Sequence, residues 1–199
     1  MKSVTAFLLF TGLSFAACNS GNKANSVDSA KDANEQKDTS SLTTNSNKPD
    51  TMSTMPVNKD VADFAVEAAA GGLMEVELGK IAQEKATNPR IKEFGAMMTK
   101  DHSDANDQLK NLAQQKNITL PTSVSDKQQK DIDDLNKKTG KDFDKAYMNM
   151  MLDDHKKDIK KFEKAGNDLK DADVKGWAMT TLPTLQKHLD SARAITGKQ

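Results

Sequence analysis

Apolar residues recur every three or four positions from Lys59 to the end of the chain, which is the spacing of amphipathic helices. No run of alternating β-branched residues is long enough to predict a strand. The pattern therefore predicts an all-α domain over residues 58–199. Its four long helices are expected at about Asn58 to Ala86, Pro89 to Lys116, Asp142 to Lys164 and Asp171 to Thr196.

The segments between these helices are short or polar. Asn88 is a good N-cap and Pro89 suits the first helical position, so the first two long helices meet there. A short polar helix, about Ser125 to Lys138, is expected in the crossover between the second and third long helices. Residues 166–171 are predicted to form a turn, and Pro183 should kink the last helix. Short connections favour an antiparallel four-helix bundle.

The start of the chain has the parts of a secretory signal over residues 1–17. Lys2 supplies the basic start, and the apolar run that follows is shorter than the about 20 residues of a dependable membrane span. Residues 15–18, Phe-Ala-Ala-Cys, resemble a bacterial lipoprotein cleavage box, which implies cleavage before Cys18 and lipidation of its thiol. The alternative is an ordinary signal peptide that happens to contain a cysteine. Residues 18–57 are rich in Ser, Asn, Thr, Asp and Lys, and predict a disordered tether.

These features predict a lipid-anchored protein of the bacterial cell envelope, with the membrane as its partner through lipidated Cys18. No acidic cluster follows Cys18, which favours the outer membrane with the domain facing the periplasm. The chain has 29 basic and 29 acidic residues, and no basic patch alternates with aromatic residues, so no nucleic-acid partner is expected. A single cysteine also excludes an intrachain disulfide.

One pattern occurs on both the second and the third long helix: an aromatic residue, then two methionines, then Asp-His. The aromatic and the histidine are eight residues apart in each copy, so His102 and His155 fall near their aromatic's face, about two helical turns away. Glu75 lies in the middle of the first helix's apolar stripe, and His188 lies at the border of the last. At 1.5 Å per residue, all four lie about 20–25 Å along their helices, so they are expected to meet in one layer.

Such a layer has two interpretations. Helical bundles build internal metal sites from inward-facing side chains on several helices, and the candidate ligands are then Glu75, His102, His155 and His188. Second choices are Asp101, Asp154, Met98 and Met151, although methionine is more often ordinary core filler. The alternative is a hydrogen-bonded polar network that fixes the helix register and binds nothing.

Four motifs carry a resemblance to a known family. They are residues 71–79 (Gly-Gly-Leu-Met-Glu-Val-Glu-Leu-Gly), 98–102 (Met-Thr-Lys-Asp-His), 154–157 (Asp-His-Lys-Lys) and 182–189 (Leu-Pro-Thr-Leu-Gln-Lys-His-Leu). Together they resemble the bacterial family of domains of unknown function numbered 4142, whose members are often described as exported or outer-membrane proteins. The resemblance implies a ferritin-like four-helix fold and brings no established activity.

The ferritin-like di-iron motif Glu-x-x-His is missing, because Thr99 and Leu152 stand three residues before His102 and His155. A mononuclear Glu/His site would suit zinc or copper. The leading expectation is a non-enzymatic helical-bundle protein that binds a metal ion or a partner in its core. The alternative is a metal-dependent enzyme with a mononuclear Glu/His site, although no nucleophile triad, phosphate loop or metalloprotease motif supports a particular reaction.

Overall fold

The computed structural model describes residues 25–39 and 57–197, and within these ranges every regular element is a helix. The helices are α1 (Ser26–Thr39), α2 (Lys59–Lys85), α3 (Pro89–Gln115), α4 (Asp126–Asn136), α5 (Gly140–Asp168) and α6 (Ala172–Thr196). The predicted all-α class is confirmed for these residues. The signal peptide and Cys18 lie outside them. No helix in the described ranges is long and apolar enough to cross a membrane.

Three of the four long helices begin, as predicted, next to a residue whose side chain caps the helix. Asn58 accepts a hydrogen bond from the backbone N–H of Val61 at the start of α2. Asn88 caps α3, whose first residue is Pro89, as the sequence predicted. Asp171 caps α6 by accepting from the backbone N–H groups of residues 173 and 174. These caps satisfy donors that have no partner within the helix, and they fix where each helix begins.

The sequence predicted a turn over residues 166–171. In the structure α5 continues to Asp168, and only three residues connect it to α6. Gly166 is a buried helical residue. A Cβ atom at this position would lie 3.0 Å from Cγ of Met179 on α6, so the missing side chain lets the two helices pack closely. The next helix, α6, is a single element that runs through Pro183.

The four long helices contact one another in a closed order. Helix α2 contacts α3 and α5, and α6 also contacts α3 and α5. The backbones of α2 and α3 pack closely at two glycines, since a Cβ atom on Gly95 would lie 2.7 Å from the carbonyl oxygen of Gly79. Helix α4 lies outside this group and packs on α2 and α5. Short connections make α2 antiparallel to α3, and α5 antiparallel to α6.

Helix α1 corrects the expectation of a disordered tether over residues 18–57, because Ser26–Thr39 are helical and pack against α2. The helix is held by polar contacts that composition does not reveal. The side-chain amide of Asn34 donates to the carbonyl of Thr119 and accepts from its N–H. Lys37 donates to the carbonyl of Asn117, and Ala30 is buried. The remainder of the predicted tether lies outside the described residues.

The apolar core is divided into two clusters along the long helices. One contains Phe94 and Met98 of α3 together with Leu152 of α5, and the other contains Leu109 of α3 and Phe162 of α5. On α3, α5 and α6, the residue between the two clusters is in each case a buried histidine. A layer of ionisable side chains therefore interrupts the core.

Candidate metal centre

Four helices each contribute one ionisable side chain to the layer between the two core clusters. Glu75 comes from α2, His102 from α3, His155 from α5 and His188 from α6. Their exposed fractions are 4%, 6%, 0% and 0%. The expected meeting of these four residues in the core is present. His188, which the sequence placed at the border of its helix's apolar face, is fully buried.

The three imidazole rings form a compact triangle. Ring centroids are 5.8 Å apart for His102 and His155, 5.2 Å for His102 and His188, and 5.3 Å for His155 and His188. One nitrogen of each ring lies within 4.8 Å of one nitrogen of the other two. Among the described residues, this is the group whose ligand atoms are close enough to share a metal ion.

A hydrogen-bond acceptor stands beside one nitrogen of each ring. His155 Nδ1 lies 2.9 Å from the carbonyl oxygen of Met151. His188 Nε2 lies 3.0 Å from a carboxylate oxygen of Asp101, and His102 Nδ1 lies 3.0 Å from Oε2 of Glu75. A carbonyl or an ionised carboxylate can only accept, so His155 Nδ1 and His188 Nε2 carry the proton and donate. His102 Nδ1 donates in the same way when Glu75 is ionised, as it would be beside a bound cation.

The other nitrogen of each neutral ring then carries a lone pair. His155 Nε2 and His188 Nδ1 face each other at 3.2 Å, so two acceptors oppose each other in the core. His102 Nε2 is buried and has no hydrogen-bond partner. Two opposed lone pairs and an orphaned third are unfavourable in a low-dielectric interior. A metal ion bound by these nitrogens would satisfy all three.

Burial holds the three rings in the neutral form that ligates metals. It lowers the pKa of His102 well below the usual range, and His155 and His188 add to this effect. The pKa of His155 falls to about 4, because burial and then His188 disfavour its charged form. Burial also lowers the pKa of His188, although the Asp101 carboxylate acts in the opposite direction.

The surroundings of Glu75 disfavour its ionised form. Burial, followed by the nearby charges of Asp158 and Asp154, raises its pKa well above the usual range. Its Oε1 atom accepts no hydrogen bond and lies 3.6 Å from His155 Nδ1. A positive charge at the three imidazoles would favour the ionised carboxylate. Glu75 contacts Nδ1 of His102 and Nδ1 of His155, not the ring nitrogens that carry the lone pairs. Its position is therefore that of a hydrogen-bond partner of the metal ligands rather than that of a ligand.

The second-choice residues have different positions. Asp101 contacts His188, whereas Asp154 forms an ion pair with Lys157 at 3.2 Å and lies outside the triangle. Met98 and Met151 are fully buried members of an apolar cluster. The backbone carbonyl of Met151, which anchors His155, had no signal in the sequence. Asp158 was also missed, although it lies one helical turn after Asp154.

Thr99 and Leu152, which stand three residues before His102 and His155, have structural roles. The Thr99 hydroxyl donates to the carbonyl of Gly95 and accepts from the Gln83 side chain, at the contact between α3 and α2. Leu152 is buried in the core. Neither residue offers a carboxylate to the layer, so the group whose atoms could share a metal ion consists of the three histidines.

A family profile described as "Domain of unknown function (DUF4142)" matches residues 46–195, which is most of the chain. The chain belongs to the DUF4142 family. All four residues of the central layer lie within the matched range, whereas α1 precedes it. Neither the comparison with curated proteins nor the comparison with solved structures found a match.

Proposed function

We propose that this DUF4142 protein binds one transition-metal ion in its core through His102, His155 and His188. The observation that carries the proposal is a set of three buried ring nitrogens with free lone pairs. The other nitrogen of each ring carries the proton and faces a hydrogen-bond acceptor. In metal sites, a ligating histidine usually donates its other N–H to a carboxylate or a backbone carbonyl, which orients the ring. Asp101, Glu75 and the Met151 carbonyl stand in these positions here.

Nitrogen ligands of this kind suit zinc or copper. The buried rings keep a low proton affinity, so protons compete weakly with the metal. A purely structural polar network is the competing interpretation. It would leave His155 Nε2 facing His188 Nδ1 without a proton between them, which is why metal binding accounts for the geometry better.

Titration of the metal-free full chain with Co²⁺ tests the proposal. One equivalent should bind, with visible absorption bands of a nitrogen-ligated ion. The melting temperature should rise with free metal, since ligand at 100 times its Kd stabilises the folded state by about 2.7 kcal/mol. Zn²⁺ should displace the cobalt and remove the bands. Several weak equivalents without visible bands would indicate surface carboxylates and would overturn the proposal.

The cellular setting of this function is proposed to be the bacterial envelope. The signal-like residues 1–17 and the lone Cys18 support a lipid anchor, and an outer-membrane position facing the periplasm is expected. The closed order of contacts among α2, α3, α6 and α5 supports a ferritin-like four-helix bundle, with α4 in the crossover.

The Cys18→Ser change should move the protein from the membrane fraction to the soluble fraction, because it removes the thiol that would carry the lipid. Fractionation followed by immunoblotting measures this. The matched control is Ser20→Ala, which alters a nearby small residue and should leave the protein membrane-bound. Full membrane retention of the Cys18→Ser protein would contradict the anchor.

A metal-dependent enzyme is the second candidate function. Three histidine ligands leave a coordination position open, which is the arrangement of catalytic zinc sites. A small anion such as azide should then change the Co²⁺ spectrum by binding at that position. A spectrum that azide leaves unchanged would favour a binding function without catalysis.

A further inference from the structure

A groove of about 510 Å³ lies between α2, α4 and α5, on the face of the molecule next to the metal centre. Its walls carry charged side chains from α4 and α5, and Gly71 and Met74 contribute from α2. Glu75 also lines it. The groove therefore reaches a residue that contacts two of the three histidines.

Acidic residues outnumber basic ones along the groove. Each of its three lysines is paired with a groove aspartate: Lys127 with Asp131 at 2.8 Å, Lys157 with Asp154 at 3.2 Å, and Lys161 with Asp158 at 3.6 Å. Asp153 and Glu75 complete the lining charges. Four aspartates against three lysines leave an excess of negative charge in the groove, and Glu75 adds to it when it is ionised.

Glu75 connects this groove to the centre. It is 96% buried by its 4% exposure, yet its Oε1 accepts no hydrogen bond. The other oxygen, Oε2, lies 3.0 Å from His102 Nδ1, and Oε1 lies 3.6 Å from His155 Nδ1. Glu75 thus places a buried carboxylate oxygen without a donor at the floor of the groove, and oxygen atoms of this kind can bind a cation.

The opposite side of the centre has a different charge. Asp101 contacts His188 there and is partly exposed, with Lys187 Nζ 3.9 Å from its carboxylate. A positive charge at that position opposes the approach of a cation. Of the two carboxylates that contact the histidines, Glu75 thus faces the more favourable route.

We propose that the groove between α2, α4 and α5 is the entry route by which a hydrated divalent cation reaches the three histidines, with Glu75 as the relay at its floor. This inference rests on the proposed metal-binding function. Asp154 and Asp158 raise the local concentration of the cation, and Glu75 Oε1 takes it from the groove. The cation then passes between the rings to the ligating nitrogens, which lie on the far side of the Nδ1 atoms of His102 and His155 that Glu75 contacts. The site is then one that exchanges its metal with the surroundings.

Stopped-flow absorbance with Co²⁺ and the metal-free full chain tests the route. The Asp154→Asn/Asp158→Asn double variant should bind Co²⁺ about tenfold more slowly at low ionic strength, because electrostatic guidance changes association rates by tenfold or more. Its dissociation rate should stay at the wild-type value. Added salt should slow the wild type more than the variant, since it screens the groove charges.

The matched control is Asp168→Asn/Asp190→Asn, which makes the same change in net charge and also removes the acids of two ion pairs on α5 and α6. It should bind Co²⁺ at nearly the wild-type rate. Circular dichroism confirms that both variants fold. Equal slowing in both variants, or no slowing in the groove variant, would overturn the entry route while leaving the metal centre intact. A wild-type chain that binds no Co²⁺ would overturn the proposed function and the route together.

Discussion

Replacing His155 by alanine should weaken metal binding by roughly 100- to 1,000-fold. Structural four-ligand zinc sites bind with apparent free energies of about 10–16 kcal/mol, so one ligand contributes on the order of 3–4 kcal/mol. Each 1.4 kcal/mol is tenfold in affinity. His155 is fully buried, and its Nε2 lies 3.2 Å from His188 Nδ1 at the middle of the proposed centre. Competition titration against a chromophoric chelator measures the change.

Two further variants separate ligand loss from damage to the core. Leu152→Ala removes a buried neighbour on α5 and should cost about 2–5 kcal/mol of unfolding free energy. The folded fraction should still bind metal with affinity close to the wild type. Asp101→Asn leaves all three ligands and should weaken binding by only about 10–100-fold, the usual effect of a ligand's hydrogen-bond partner. Wild-type affinity in His155→Ala would refute the three-histidine centre and leave a structural polar network.

The Gly95→Ala change should destabilise the fold by about 3 kcal/mol, at the upper end of the cost of overpacking. A Cβ atom here would lie 2.7 Å from the carbonyl oxygen of Gly79 and 3.0 Å from Cβ of Ala82. Both obstacles belong to α2 backbone or to a short side chain, so neither can rotate away. Helices α2 and α3 would have to move apart. Chemical denaturation gives the loss, and the melting temperature should fall by roughly 10 °C.

Gly71→Ala is the matched control because it makes the same glycine-to-alanine change on the neighbouring helix α2. Nothing lies within 4 Å of a Cβ atom placed at Gly71. Alanine is favoured over glycine in a helix interior by about 0.8–1.0 kcal/mol, so this variant should be slightly more stable than the wild type. Loss of stability in Gly71→Ala, or none in Gly95→Ala, would contradict the close packing of α2 on α3.

Periodicity was sufficient to predict the five helices after residue 57, since each has an apolar stripe and a polar or capped boundary. It also brought Glu75, His102 and His155 together, because a 3.6-residue repeat fixes which side chains share a face. The role of each residue within the layer could not be predicted from the sequence. Only the distances show that Glu75 contacts the outer nitrogens of His102 and His155, and that the backbone carbonyl of Met151 also holds His155.

Helix α1 shows where composition fails as a guide. Residues 26–39 bury little apolar surface, so the sequence favoured disorder. The helix is held by the paired amide contacts of Asn34 with Thr119 and by Lys37, which depend on a distant loop. Long-range hydrogen bonds of this kind leave no periodic signal. Gly166 illustrates the same limit, since a glycine that suggests a turn is a helix-packing residue instead.

Docking of α1 also changes how far the domain can travel from a membrane. With Cys18 as the anchor, the chain between it and Asn25, the first residue that the structure describes, can extend about 25 Å at most, because each residue spans at most about 3.6 Å. A free chain from Cys18 to Asn58 could extend several times as far. The domain would therefore stay close to the lipid surface, with the loop after α3 and the first turn of α1 nearest to it, and its metal exchange would occur in the thin layer of solvent beside the membrane.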